Sequence, residues 1–267
     1  MRARIGQHFL KDGGVARRIV GALPIGEGKI IIEIGPGRGA LTALLAERVG
    51  RVPGAELVCI ERDPILAEAL RARAWHTIPP RVITGDARTA LPEPVRELTP
   101  DNTYIVVGNL PYYLTGRLFR ILGELSRLPE AAVFMVQREV AMRLTAAPPH
   151  MNLLAASVQA WARVSLLFHV PASAFTPQPR VESAVVLITA TRTTPPPAGY
   201  YQTARVLFKQ PRKTLLNNLA VEIGREDATW ILAEVGLDPS GRPQSLSPEA
   251  IFLISKHPPF SDGGFVS

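Results

Sequence analysis

The sequence predicts an α/β fold, in which the strands of a mostly parallel sheet alternate with helices along the chain. Short apolar runs rich in β-branched residues alternate with longer stretches whose apolar residues recur at helical spacing. Four successive runs end in glycine, acidic or amide residues, as expected where strands pass into loops. A chain of 267 residues is also long enough to bury a large core. The predicted strands are 29–34, 56–60, 81–84, 104–108, 131–136, 161–170 and 184–190.

The connections between these strands carry helical patterns. Asp63 followed by Pro64 predicts a helix start, because aspartate is a strong N-cap and proline is favoured at the next position. After strand 131–136 we expect a helix that places Val140, Met142 and Leu144 in the core. Further helices are predicted over 15–23, 40–49 and 114–125.

The C-terminal part of the chain is predicted to be a smaller helical domain. Residues 191–199 include Pro195-Pro196-Pro197, and such a proline-rich stretch favours a linker. We therefore expect a sheet domain over residues 1–194 and a helical domain with a loose tail over residues 195–267. The helical patterns in this second part are 200–208, 212–223, 226–235 and 247–256.

Composition and charge narrow the class of protein. The excess of 30 Lys+Arg over 23 Asp+Glu favours a polyanionic partner such as nucleic acid. Cys59 lies in an apolar run, so we expect it to be a buried small hydrophobe with no disulfide or metal role, as in a reducing compartment. Residues 1–4 lead into polar sequence without a secretory signal, and polar side chains interrupt the apolar stretch 151–170. We expect a cytoplasmic protein with no membrane span.

The residues that end four successive strands predict a ligand site. They are the glycine turn 35–39, Glu61, Asp86 and Asn109, and the carboxyl ends of parallel strands meet at one sheet edge, where α/β folds bind ligands. Glu33, next to the glycine turn, suits a cationic ligand such as the sulfonium and ammonium groups of S-adenosylmethionine. We expect Glu61 to bind the ribose diol and Asp86 to accept the adenine amino group of this cofactor.

The glycine spacing weighs against another cofactor class. The turn has the pattern G-x-G-x-G, whereas nicotinamide and flavin enzymes use G-x-G-x-x-G, and no Gly-Lys-Ser/Thr follows as in a P-loop. A nicotinamide dehydrogenase is therefore disfavoured.

Asn109-Leu110-Pro111-Tyr112 predicts a site for a planar ring that carries an amino group. Asn109 offers a carbonyl acceptor, Pro111 disfavours helical geometry at Leu110 and so leaves its carbonyl available, and Tyr112 offers a stacking face. Two acceptors would hold the exocyclic amine of an adenine and turn its nitrogen lone pair toward an electrophile. No strong base is then required. The alternative is that this segment is only a strand-ending turn.

Three other segments have both functional and structural interpretations. Prolines in the loop 175–183 would hold Phe175 beside the cleft as a second stacking face, or Phe175 plugs a core edge. Gln7 and His8 cap the amino-acid end of the cofactor, or they are exposed polar residues. A basic cluster contacts phosphates, or it is a solvated face; its members are Lys209, Arg212 and Lys213.

Eight motifs now stand in order along the chain: GQHFL at 6–10, EIGPGRG at 33–39, ERD at 61–63, GDA at 85–87, NLPYY at 109–113, VQREVA at 136–141, FTPQPRVES at 175–183 and RKTLLNNL at 212–219. With these motifs the chain resembles the KsgA/RsmA family of small-subunit rRNA adenine dimethyltransferases over nearly its whole length. The resemblance implies a Rossmann-like class I methyltransferase sheet of seven strands, the last antiparallel, with a smaller helical domain. It also implies dimethylation of N6 of two adjacent adenosines near the 3′ end of 16S rRNA.

The resemblance also implies roles for individual residues. His8 and Arg138 depart mildly from the asparagine and lysine that are more frequent at those positions, but each keeps the relevant polar character. Asn109, Leu110, Pro111 and Tyr112 would present the target base, and Phe175 would stack on it. Residues expected to contact S-adenosylmethionine are Gln7, His8, Leu10, Gly35, Gly37, Glu61, Arg62, Asp86, Ala87 and Asn109.

The expected partner is 16S rRNA within the immature small ribosomal subunit, bound by a monomeric protein. One alternative is a 23S rRNA adenine methyltransferase of the macrolide-resistance type, which shares the fold and a similar central motif. The segments 175–183 and 212–219 favour the small-subunit interpretation. The other alternative is a non-catalytic RNA-binding assembly factor, which the intact central motif disfavours.

Overall fold

The structure, a computed structural model, describes residues 8–97, 103–110 and 115–261. In these residues the strands are β1 Phe9–Leu10, β2 Ile30–Ile34, β3 Glu56–Glu61, β4 Arg81–Thr84, β5 Tyr104–Asn109, β6 Ala131–Gln137, β7 Ala162–Val170, β8 Phe175–Thr176 and β9 Ser183–Ala190. The α-helices are α1 Gly13–Gly21, α2 Ala40–Val49, α3 Pro64–Arg71, α4 Ala87–Ala90, α5 Pro92–Arg96, α6 Thr115–Glu124, α7 Arg138–Leu144, α8 Leu153–Gln159, α9 Ala198–Leu207, α10 Leu215–Ile223, α11 Arg225–Glu234 and α12 Pro248–Ile254.

The central sheet has seven strands in the order β4-β3-β2-β5-β6-β9-β7. Strands β2 to β6 pair in parallel, and β9 pairs antiparallel with both β6 and β7. The prediction of seven strands with an antiparallel last strand is confirmed. Strands β1 and β8 form a separate antiparallel pair that the sequence did not reveal.

The sheet has helices on both faces, which explains why its strands are continuous apolar runs. Alternate residues of β2 enter different clusters: Ile32 and Ile34 belong to a core with α6, and Ile31 to a core with α1 and α2. Cys59 is fully buried in the second core. Asp63 caps α3 by accepting a hydrogen bond from the backbone N–H of Ile65, as its sequence context predicts.

One core prediction is wrong. Met142 of α7 is 55% exposed, whereas Leu144 is buried and Val140 packs against the first core. On a helix, residues two positions apart point in different directions, so Val140 and Leu144 share a face that Met142 cannot join.

A third core cluster joins the C-terminal helices to the sheet part. It contains Tyr200 and Leu207 of α9, but also Met151, Ala155 and Ala156, which precede the predicted boundary at residue 194. The Tyr200 hydroxyl donates to the backbone oxygen of Ala156 at 2.9 Å. The helical part therefore shares buried surface with α8. In the part of the chain that the structure describes, no helix is both long and apolar enough to cross a bilayer.

The sheet topology brings several loops to one edge. Gln137 at the end of β6 and Val170 at the end of β7 both pair with Ser183 at the start of β9. The segment 171–182 therefore lies at the same edge as the carboxyl ends of β2 to β6. We call this edge the carboxyl edge.

Candidate active site

The glycine turn between β2 and α2 starts the site at the carboxyl edge. Gly35, Gly37 and Gly39 have φ values of +67°, +57° and +80°, which side chains with a Cβ rarely adopt. The backbone N–H of Gly35 donates to the oxygen of Ile60 at 2.9 Å, so the turn begins against the end of β3. A Cβ at Gly35 would lie 3.9 Å from the carbonyl oxygen of Asn109. The turn thus lies between β3 and β5.

Glu61 is fixed at the end of β3 by two backbone donors. Its Oε2 accepts from the N–H of Gly37 and its Oε1 from the N–H of Asp63, both at 2.9 Å, and the residue is 4% exposed. Each carboxylate oxygen has a second lone pair. The carboxylate is therefore held in one orientation while keeping two acceptor positions, which fits a ligand with neighbouring hydroxyl groups.

Asp86 lies next along the edge, since the N–H of Gly85 donates to the oxygen of Glu61 at 2.8 Å. It caps α4, and the Arg88 guanidinium contacts both carboxylate oxygens at 2.6 and 2.9 Å. Hydrogen bonds from the Arg88 side chain are the main cause that lowers the pKa of Asp86 to about 2. Asp86 is therefore ionised at neutral pH. Nearby Arg62 is exposed, and Ala87 is buried against the first core.

Glu33 lies under the turn with its side chain 1% exposed. Burial raises the pKa of this carboxyl to about 7, although the neighbouring Thr42 hydroxyl and Cys59 thiol partly offset the effect. The Cys59 Sγ donates to Glu33 Oε2 at 3.5 Å. Glu33 therefore titrates near neutral pH, and a cation above the turn would favour its charged form.

Asn109 ends β5 in the middle of the sheet, in register with Met135 of β6. Its Nδ2 donates to the backbone oxygen of His8 at 3.1 Å. The amide oxygen is then the atom that can accept from a ligand, since Nδ2 carries the donors. Leu110 anchors the next position, with its side chain 2% exposed and its N–H bonded to the oxygen of Met135 at 3.1 Å.

The pair β1–β8 lies over the glycine turn. Phe9 pairs with Thr176 and Leu10 with Phe175. A Cβ at Gly37 would lie 3.2 Å from the Phe9 ring, so this glycine provides the space in which the ring packs. The Arg38 guanidinium carbon lies 4.5 Å from the centre of the same ring.

Phe175 is 2% exposed and belongs to the second core, together with Leu10 and Ala174. In this conformation its ring fills a core edge, which is the alternative interpretation given above. A base cannot stack on a ring in this position unless β8 moves.

The basic cluster lies in the turn 208–214 between α9 and α10, which we call the basic turn. Asn218, 5% exposed, binds this turn through its side chain: Nδ2 donates to the oxygens of Gln210, Lys213 and Thr214, and Oδ1 accepts from the N–H of Gln210. The turn therefore has a defined shape. It presents three exposed cations, which are Lys209, Arg212 and Lys213. The Lys209 Nζ lies 3.8 Å from Glu222 Oε2.

The register confirms that the four strand ends meet at one edge, in the order of Asp86, Glu61, Gly35 and Asn109 across the sheet. The roles of these residues stay predictions. Three of the predicted site residues lie outside the described residues: Gln7, Pro111 and Tyr112.

Known proteins identify the family of this site. A profile described as Ribosomal RNA adenine dimethylase matches residues 1–257. The chain belongs to this family. Proteins similar to this chain include Ribosomal RNA small subunit methyltransferase A from Dehalococcoides mccartyi strain CBDB1, which is 37% identical over 93% of this chain and 85% of the relative. The protein of that name from Chromohalobacter salexigens is 38% identical over 96% of this chain and 90% of the relative.

Solved structures support the fold of the dimethylase. A dimethyladenosine transferase from Plasmodium falciparum superposes with a TM-score of 0.76 at 21% identity, covering 92% of this chain and 96% of that chain. The 23S rRNA methyltransferase ErmE gives a TM-score of 0.67, also at 21% identity, with coverages of 92% and 97%. At this identity the likeness shows the class I methyltransferase fold alone.

Sequence reasoning missed several residues that shape the site of the dimethylase. Arg88 pairs with Asp86, and its signal was a basic residue two positions after the acid. Phe9 and Arg38 pack at the glycine turn, and nothing in their local sequence pattern indicates this long-range contact. Asn218 organises the basic turn, and it was visible only as part of the RKTLLNNL motif.

Proposed function

We propose that this dimethylase transfers methyl groups from S-adenosylmethionine to N6 of two adjacent adenosines near the 3′ end of 16S rRNA, during biogenesis of the small ribosomal subunit. Family membership and relatives named for small-subunit methylation support the reaction and its substrate class. One observation supports the chemistry in this chain: Asn109 ends the central strand beside the glycine turn, with its amide held by a backbone carbonyl.

The residues of the glycine turn and of β3 and β4 fit S-adenosylmethionine. Glu61 keeps two acceptor positions that would take the ribose hydroxyls, and the ionised Asp86 would accept from the adenine amino group. Glu33 would supply a titrating carboxyl under the turn for the cationic groups. Gly35 and Gly37 let the backbone approach the ligand closely. When bound, this cofactor supplies a methyl group on a cationic sulfur that departs as a neutral thioether.

The target adenine must leave its stack to reach the carboxyl edge. The Asn109 oxygen and the Leu110 carbonyl would accept from the N6 amine and turn its lone pair toward the methyl donor, and such positioning can account for much of the acceleration. The proton lost from N6 after transfer passes to solvent. Tyr112 and Phe175 would stack on the base, and stacking on Phe175 requires β8 to move so that the buried ring becomes accessible.

The basic turn is our proposed contact to the RNA backbone. Lys209, Arg212 and Lys213 are exposed on a turn that Asn218 fixes, so they can meet phosphates with little loss of order. The backbone N–H groups of Leu215 and Leu216 already donate to Gly241 and Pro239, so side chains would make the phosphate contacts. We infer that the protein acts as a monomer on the immature subunit.

Mass spectrometry of rRNA tests this function. Purified protein is incubated with methyl donor and either immature small subunits or large-subunit RNA. We expect two dimethyladenosines near the 3′ end of 16S rRNA and none in 23S rRNA. Methylation of the large-subunit RNA alone would overturn the assignment, and a chain that binds RNA but no S-adenosylmethionine in calorimetry would indicate a non-catalytic assembly factor.

A further inference from the structure

Residues 8–10 contact the glycine turn, Asn109 and the loop after β8 through three contacts. The Phe9 ring occupies the space above Gly37, the His8 carbonyl accepts from Asn109 Nδ2 at 3.1 Å, and His8 Nδ1 lies 2.7 Å from the oxygen of Pro177. Since a carbonyl only accepts, His8 carries its proton on Nδ1 in this contact. We call residues 8–10 the lid strand.

The contact at Gly37 fixes where the lid strand lies. The Phe9 ring is bounded by the Gly37 backbone at one side and by the Arg38 guanidinium, 4.5 Å from the ring centre. Beyond the strand, the N–H groups of Lys11 and Asp12 both donate to the oxygen of Ala174. Phe9 is therefore the point at which this strand is attached to the glycine turn.

The contact at Asn109 decides which amide atom faces the substrate. The terminal torsion of asparagine is broad and roughly two-fold, so an unrestrained amide exchanges its oxygen and nitrogen positions. With Nδ2 committed to the His8 carbonyl, the oxygen is presented to the N6 amine. In the reversed orientation the Asn109 NH₂ group would face the N–H groups of the N6 amine. Two donors cannot form a hydrogen bond, so the amine would not be held.

We propose that Phe9 is a positioning residue for methyl transfer: its packing on Gly37 holds the His8 carbonyl where it orients the Asn109 amide with the oxygen toward the target amine. This inference rests on the proposed function for its kinetic consequence, but its structural part concerns the chain alone. It links the position of the lid strand over the glycine turn to the presentation of the Asn109 oxygen to the base.

Two measurements on the full chain test the role of Phe9. The first is hydrogen exchange of the Asn109 side-chain amide in the protein alone, followed by NMR and assigned by its disappearance in Asn109→Asp. The second is the single-turnover rate of methyl transfer to small subunits. For Phe9→Ala we expect exchange about fivefold faster and transfer about fivefold slower, the effect of one net hydrogen bond. Phe9→Tyr keeps the ring and should behave as the wild type.

Phe168→Ala is the matched control, because it removes another phenylalanine that packs under an arginine. The Arg18 guanidinium carbon lies 3.6 Å from the Phe168 ring centre, on β7 at the far edge of the sheet. We expect this variant to leave exchange and transfer unchanged. Thermal unfolding of each variant checks that the fold is retained.

The outcomes separate this role from the proposed function. Unchanged exchange in Phe9→Ala, or an equal loss of transfer in Phe168→Ala, would overturn the positioning role. If exchange responds as expected but the wild type methylates no rRNA, the contact stands and the proposed function fails.

Discussion

Asn109 carries the most direct consequence of the proposed chemistry at the scale of single residues. Asn109→Ala removes the acceptor for the N6 amine, so we expect the single-turnover rate to fall roughly 10²–10³-fold, as when one preorganised polar group is lost from a catalytic site. The affinity for S-adenosylmethionine, measured by calorimetry, should fall much less. Asn109→Asp keeps an acceptor but loses the N–H that donates to the His8 carbonyl, so its rate should lie between those of the wild type and Asn109→Ala. Equal losses of rate and donor affinity in Asn109→Ala would contradict the assignment.

Glu33 predicts how stability depends on pH. Its folded pKa of about 7 lies above the ordinary value of 4.5, so the stability it contributes is complete below pH 4.5 and is lost as the pH rises to about 7. The loss is about 3 kcal/mol at most, at 1.36 kcal/mol per pKa unit. Glu33→Gln cannot ionise. Urea unfolding at pH 5 and pH 8 should show the variant gaining stability relative to the wild type with rising pH, and parallel curves would refute this.

Single residues also show what sequence can and cannot predict. Glu61 and Asn109 were predictable because each ends an apolar run of a parallel strand, and the rule that such ends converge needs no side-chain detail. For Phe175 the sequence left both the cleft and a core edge open, because the choice between them depends on how β8 pairs with β1. Met142 was misplaced because its apolar character was given more weight than helical spacing, which separates it from Val140 and Leu144.

The turn between α9 and α10 is the element through which charge should act on RNA affinity. Replacing Lys209, Arg212 and Lys213 by alanine should weaken binding of small-subunit RNA at all sequences. The slope of log affinity against log salt should become shallower by about 2, since each lost phosphate contact removes about 0.7 with single-stranded RNA. Filter binding across a salt series measures both quantities.

Arg51→Ala is the control for this turn. Arg51 follows α2 at the edge opposite the carboxyl edge and is 72% exposed. A similar loss of affinity in this variant would mean that general charge, and not the basic turn, governs RNA binding.

Long elements were predicted within one to three residues because their periodicity extends over several turns or pleats. The two-residue strands β1 and β8 have no such pattern, and their pairing is set by contacts between residues distant in sequence. The motif GQHFL at 6–10 was therefore recognised in the sequence, whereas the position of the lid strand over the glycine turn was not.

At the scale of the whole molecule, the shared third core predicts that the two predicted domains depend on each other. A chain ending at residue 194 would expose Met151, Ala155 and Ala156 and remove the Tyr200 hydroxyl from the Ala156 carbonyl. Losing the burial of such side chains costs a few kcal/mol, so its thermal midpoint should fall by about 10 °C. Calorimetry of the two chains measures this.

Met142→Ser in the full chain is the control, because the side chain is 55% exposed and its loss should be nearly neutral. A truncated chain with an unchanged midpoint, together with two transitions in the full chain, would instead support independent domains. The predicted boundary stays a proposal until this comparison is made. The linker composition suggested it, whereas packing of α8 on α9 depends on tertiary contacts that composition does not encode.

The sealed position of Cys59 gives the protein an internal reporter. The chain has one cysteine, its burial raises the pKa of the thiol, and it lies beside Glu33 beneath α2. A thiol-reactive dye can therefore modify it only when α2 separates from β2 and β3. The rate of dye attachment would then report local opening of α2, whose N-terminus follows the glycine turn. A saturating concentration of methyl donor should slow that rate without any change to the sequence.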